Sequence, residues 1–171
     1  MLNETSAQVD LASESGFAMT DTNPTPEPES YIVESRYGQL TFGPEQVLTM
    51  GRSILGFPQL TQFGLARMPG HDGQNLLLLQ SLEDADVAFP CLSLDLANPM
   101  IDEADLKAIY DQLAITPENG ATLCLLTVRD EGEGKSAVTI NLRAPVFVDS
   151  ARRMAWQIVL NNPRYPIRHG L

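Results

Sequence analysis

Two carboxylate clusters, Glu83-Asp84-Asp86 and Asp102-Glu103-Asp105, are the densest acid chemistry in the chain. Grouped carboxylates can hold a hard cation or divide the work of general acid and base. Neither cluster has the D-x-[DN]-x-[DN]-G order of a calcium loop, and such runs are more often solvated turns or helix starts. Gly134-Lys135-Ser136 has the ending of a phosphate loop, but Arg129 stands where the first glycine belongs. The strand-forming run Ala137-Val138-Thr139-Ile140 follows it in place of a helix, and Asp130, Glu131 and Glu133 would repel phosphate. Gly51-Arg52-Ser53-Ile54-Leu55-Gly56 repeats the glycine spacing with Phe57-Pro58 where Lys-Ser is required, so it reads as a loop ending a strand. His71 and His169 lie at no metal-binding spacing with each other or with a cysteine, and no G-x-S-x-G elbow occurs. The residue pattern therefore points away from catalysis, metals and cofactors, and toward binding surfaces.

Three such surfaces stand out, each with a structural reading beside the functional one. Ile54, Leu55, Phe57 and Pro58 form an apolar loop that either plugs one end of the fold or meets a partner. Glu83, Asp84 and Asp86 form an electrostatic element or a solvated turn. Tyr165, Arg168 and His169, in the run Asn162-Pro163-Arg164-Tyr165-Pro166-Ile167-Arg168-His169-Gly170-Leu171, form a terminal anchor for an acidic or extended peptide, or pack back with Arg168 paired to a carboxylate. This run shows no regular strand or helix pattern. A small-barrel enzyme with a cavity around Phe57, Phe89 and His169 is the rival reading.

From Tyr31 onward apolar residues come in short runs bounded by Gly, Pro, Asp and Asn, which predicts a mainly β fold. Strands are expected at 31–35, 39–42, 46–50, 63–68, 76–81, 87–94, 122–129, 137–142, 146–149 and 155–160. Leu106, Ile109, Tyr110 and Leu113 fall instead on one helical face. Asp102 is placed to cap this helix, with Glu103 and Asp105 in its first turn and Thr116-Pro117 and Asn119-Gly120 ending it. So many short strands with one short amphipathic helix suggest a single antiparallel β-barrel or roll, because closure removes the exposed edges. Cys91 and Cys124 sit in apolar runs, as buried thiols of a reducing compartment do.

With 22 acidic against 11 basic side chains the net charge is −11, which disfavours direct nucleic-acid binding. No apolar run approaches the roughly 20 residues that span a bilayer, and nothing resembles a signal sequence, so a cytoplasmic protein without membrane contact is expected. Residues 1–30 carry Glu4, Asp10, Glu14, Asp21, Glu27 and Glu29, no Lys or Arg, and a proline-spaced end, which predicts a disordered acidic tail before a domain over 31–171. Eight acids and only Lys107 lie between Glu83 and Asp111, whereas four arginines and no acid follow Asp149, predicting an acidic side and a basic edge. Closure and net charge together incline the reading to a monomer.

Several segments in order have a familiar look: Glu34-Ser35-Arg36-Tyr37-Gly38, Ile54-Leu55-Gly56-Phe57, Leu79-Gln80-Ser81-Leu82-Glu83-Asp84-Ala85-Asp86-Val87-Ala88-Phe89, Asn141-Leu142-Arg143-Ala144-Pro145, Gln157-Ile158-Val159-Leu160 and Tyr165-Pro166-Ile167-Arg168-His169-Gly170-Leu171. Together they resemble the flagellar assembly factor FliW family over essentially 31–171, leaving the acidic tail outside the pattern. The resemblance implies a small non-catalytic barrel that binds newly made flagellin and, alternatively, the RNA-binding regulator CsrA, relieving repression of flagellin translation. A structural subunit of the flagellar export apparatus is a further alternative.

Overall fold

The computed structural model describes residues 29–71, 75–94 and 100–171. The expected disordered tail falls almost wholly outside the described residues. Strand β1 (Tyr31–Ser35) and β2 (Gly38–Phe42) make an antiparallel hairpin, with Gly38 at φ +99° in the turn between them. A 3-10 turn over Pro44–Gln46 then leads into β3 (Val47–Arg52), taking Gln46 out of the strand expected there. β4 (Gln62–Arg67), β5 (Leu76–Ser81) and β6 (Ala88–Ser93) follow as a meander. After helix α1 (Glu103–Leu113) come β7 (Gly120–Gly132), β8 (Lys135–Ile140), β9 (Val146–Asp149), β10 (Met154–Gln157) and β11 (His169–Gly170).

Seven strands close on themselves in the order β7-β6-β5-β4-β3-β10-β9 and back to β7. All pairings are antiparallel except β10 with β3, where Met154 lies opposite Thr49. β8 and β11 extend the sheet beyond the ring through the long second half of β7.

Alternation along the strands divides the core in two. Leu123, Val146 and Val148 join Leu48, Phe63, Leu79 and Cys91 in one buried cluster, while Cys124 and Phe147, one position out of phase, belong to a second under α1. That second cluster takes Leu106 from α1 and Ile158, Leu160 and Tyr165 from the chain after β10. β7 and β9 are therefore apolar on both faces, which is why their sequences read as continuous runs rather than strict alternation. The β1–β2 hairpin contributes a third cluster, Val33, Phe42 and Val47. Burial pushes the thiols of both Cys91 and Cys124 up, Cys124 to about 12, so both stay protonated and packed as small apolar groups.

Three local expectations change. Asp102 occupies the N-cap position of α1, but its side chain makes no capping bond, because its carboxylate is paired with Arg164 and its own N–H donates to the Tyr165 hydroxyl. The helix stops at Leu113, before Thr116-Pro117, with Ala114 at φ 52° donating its N–H back to Tyr110 and Asp111. Beyond Gln157 the amides of Ile158 and Leu160 bond to the Pro145 and Arg143 carbonyls in a loop, so β10 ends three residues before the predicted limit.

Candidate partner-binding site

The apolar loop after β3 divides. Ile54 is 2% exposed and closes one end of the barrel. Half-buried Phe57 packs edge-on against Phe89 at 5.3 Å, and Phe89 leans on Phe63 at 6.2 Å. Leu55, by contrast, is 61% exposed, and Pro58 is exposed with it. Leu55 is held outward from below, its N–H donating to Oε1 of buried Gln157 at 2.7 Å, whose Nε2 donates to the Ala144 carbonyl. Two of the four predicted contacts thus plug the fold, and two face solvent on a supported turn.

The acidic turn between β5 and β6 is built from inside. Gln80, fully buried in β5, donates from Nε2 toward the carbonyls of Ser81, Ala85 and Val87 at 3.0–3.2 Å and of Asp84 at 3.5 Å. Ser81, equally buried, accepts the Glu83 and Asp84 amides on its hydroxyl. Glu83 is the turn's tie to β4: its carboxylate accepts the Thr61 and Gln62 amides and the Thr61 hydroxyl. Desolvation opposes its ionisation, but those bonds from Gln62 and Thr61 win and hold the carboxyl below its usual range. Asp84 accepts the Asp86 amide, and Asp86 offers its carboxylate to solvent. Of the predicted trio, Glu83 therefore positions the turn, and Asp84 and Asp86 present charge.

Gln80 makes this testable. Its Oε1 has no partner among the described residues, so Gln80→Leu removes a costly orphan acceptor together with a donor shared by four carbonyls. The two effects oppose, and a net stability loss of only about 1 kcal/mol is expected. Local opening of the turn should respond far more, with amide exchange at Glu83 and Val87 faster by about tenfold. Unchanged exchange at both amides would show that the turn holds itself.

Tyr165, 4% exposed, is the true anchor of the C-terminal run. Its hydroxyl donates to Asp105 Oδ2 and accepts the Asp102 N–H at 3.0 Å, taking the N-cap amide that the N3 side chain takes in a capping box. Tyr165 and Asn162 bonding to Asp105 lower that carboxyl's pKa, while burial and then Asp105 raise the phenol's. Arg143 clasps the run from β8's side, donating to the Tyr165 and Pro163 carbonyls. His169 and Gly170 form β11 against Ile140 and Thr139, a pairing the proline-rich sequence did not suggest. The side chains of Arg168 and His169 are exposed, and Arg168 makes no ion pair with a described residue. The expected basic edge is largely satisfied internally, Arg152 by Asp149 and Arg164 by Asp102.

The cavity imagined around Phe57, Phe89 and His169 is not assembled. Phe57 and Phe89 pack on the first cluster, whereas His169 is exposed on β11 opposite Ile140 of the second. A concavity of about 550 Å³ lies elsewhere, between α1 and the start of β7, lined by Leu106, Tyr110, Ile115 and Ala121 with Glu103 and Lys107 at its rim. Among the described residues no three His, Cys, Asp or Glu side chains are grouped to hold a metal ion, and no helix is long and apolar enough to cross a membrane.

Seven strands closed into one ring, with β8 and β11 appended to it, place the protein in the class of small β-barrels. The family model described as FliW protein matches residues 31–171, and the chain belongs to the FliW family. It is 30% identical over 142 residues to the flagellar assembly factor FliW of Syntrophus aciditrophicus, covering 82% of this chain and 86% of that one. The flagellar assembly factor FliW of Bdellovibrio bacteriovorus is 33% identical over 141 residues, 82% of this chain and 78% of its own. A crystal structure of the flagellar assembly factor FliW superposes with a TM-score of 0.61 over 81% of this chain and 95% of that one, at 22% identity, and shows the same fold.

Proposed function

We propose that this protein is a cytoplasmic, monomeric flagellar assembly factor that binds flagellin and, alternatively, CsrA, lifting CsrA's repression of flagellin translation by binding rather than by catalysis. The observation that carries this reading is the family match over residues 31–171, with relatives named as flagellar assembly factors at 30% and 33% identity. The acidic turn supports it. An antagonist of an RNA-binding protein gains from fixed negative charge beside the RNA surface, where it raises the free energy of bound phosphate. Asp84 and Asp86 supply that charge, Glu83 holds them, Leu55 and Pro58 offer apolar contact over the Ile54–Phe57 plug, and Arg168 and His169 face outward from the strip that Tyr165 anchors.

Affinity capture with the tagged full chain from its own host during flagellar growth tests the partners. Recovery of flagellin and CsrA is expected; recovery of neither overturns the assignment. The electrostatic part has its own test. Asp84→Asn with Asp86→Asn should weaken displacement of RNA from CsrA by about tenfold at low salt and much less at high salt. Equal displacement by variant and wild type at both salts removes the turn from the mechanism. Glu83 is left intact, since its loss would unseat the turn and confuse the result.

A further inference from the structure

The β6–β7 ladder ends at Cys91 opposite Leu125. The next pair would set Pro90 against Leu126, and proline has no N–H with which to continue. β7 nevertheless runs on to Gly132, paired along its other side with β8. The Thr122 carbonyl accepts the Leu94 amide on the β6 side, and the Leu125 carbonyl accepts the Asn141 amide on the β8 side. Backbone groups of a strand alternate sides with its residues. The pair Cys91–Leu125 is held by the bonds on either side of it, so the Leu126 N–H still donates to the Pro90 carbonyl; the Leu126 C=O, and both groups of Val128 and Asp130, aim at the space β6 has left, and among the described residues no strand pairs with them there.

We infer that this open edge of β7 is a docking rail for an extended segment of a partner protein, one that sets a basic residue opposite Asp130 and a β-branched apolar residue opposite Val128. The extended form follows from the row of unpaired amides and carbonyls, which only another strand satisfies completely. The apolar position follows from Val128, which is 60% exposed on the same face as Leu126. The basic position follows from exposed Asp130 and Glu131 at the far end of the rail, on a chain of net charge −11. Arg129 stands on the opposite face of the strand. A second copy would bring the same carboxylates and net charge against themselves, so a basic partner is favoured. Pro90 keeps the rail open by denying it to β6. The inference does not depend on the flagellin and CsrA reading.

Amide hydrogen exchange of the full chain, with the peptide acetyl-Lys-Thr-Val-Thr-Ile-Thr-amide at millimolar concentration, reads the rail residue by residue. Exchange at Val128 and Asp130 should slow by about tenfold, while Leu126, already bonded to Pro90, and Thr127 and Arg129, already in the β8 ladder, stay unchanged. A peptide with Glu in place of Lys should slow it far less, and Asp130→Lys should reverse the preference. Val128→Pro deletes an edge N–H without removing a bond to β8, and should abolish the protection. If that variant fails to fold, Asp130→Lys alone decides. Absence of slowing, slowing without alternation, equal slowing by both peptides, or protection that grows with protein concentration alone each overturns the inference.

Discussion

Gly64→Val should lift the β1–β2 hairpin from the barrel and cost about 3 kcal/mol. Gly64 is buried in β4, and a Cβ built there would lie 2.5 Å from Cδ1 and Cγ of Phe42. Phe42 is fully buried and cannot yield as a flexible side chain would, because its ring is the centre of the cluster with Val33 and Val47. Outside that cluster the hairpin is tied to the barrel by Arg36, which donates to the Ala88 carbonyl at 3.2 Å. The ring and the hairpin must therefore move together. Two measurements check this: the denaturant midpoint, and amide exchange at Val33 and Leu40, which should rise to that of a detached hairpin. Phe42→Ala, itself costing about 3–5 kcal/mol, should make Gly64→Val nearly silent. Additive effects of the two changes would place the strain elsewhere.

The way Gly64 works also shows what could be read in the sequence. Strand positions were legible because each run is short and ends at a breaker, as at Tyr37-Gly38 and Asp130 to Gly134. The helix was legible from Leu106, Ile109, Tyr110 and Leu113. Closure through the parallel β10–β3 pair was not, since nothing local to Met154 or Thr49 encodes a partner some hundred residues away. β11 was hidden for a related reason: two residues make no periodicity, and their pairing is fixed by Tyr165 packing beneath α1. At the site, charge marked the acidic turn, but charge could not separate Glu83, whose oxygens accept bonds from β4, from Asp86, whose oxygens face water. The signal that would have helped was Gln80-Ser81 closing an apolar run from Leu76, where a polar pair must find buried partners. The loop at Ile54 was ambiguous because alternation there decides between plug and surface one residue at a time.

Replacing Asp149 should be felt at neutral pH and progressively less in acid. Asp149 is 4% exposed, and its carboxylate accepts the Arg152 N–H at 2.9 Å and the Arg152 Nε–H at 2.6 Å. Held this way, Arg152 reaches the end of α1, donating Nη2 to the Leu113 carbonyl at 2.7 Å, and lies 5.1 Å over the ring of Trp156. Burial by itself would raise the carboxyl's pKa, but the bonds and charge of Arg152, with the Ala151 amide, bring it below its usual value. The unfolded chain therefore binds a proton at higher pH than the folded one. Stabilisation by Asp149 is complete above the ordinary Asp value of about 3.9 and is lost as pH falls through the lower folded value. Asp149→Asn keeps the size and removes the charge. At pH 7 it should cost about 2–3 kcal/mol, the modest end for a broken buried pair, because Arg152 keeps 43% of its side chain in water. Below about pH 4 the gap between variant and wild type should narrow, since the wild type then loses what the variant never had. The slope does not vanish, because Glu83 and Asp105 are lowered as well. Thermal melts across pH read the stability, and the single tryptophan, Trp156, reports directly whether Arg152 has left its ring. A variant that matches wild type at pH 7, or trails it by the same margin at pH 3, would assign the hold on α1 to packing alone.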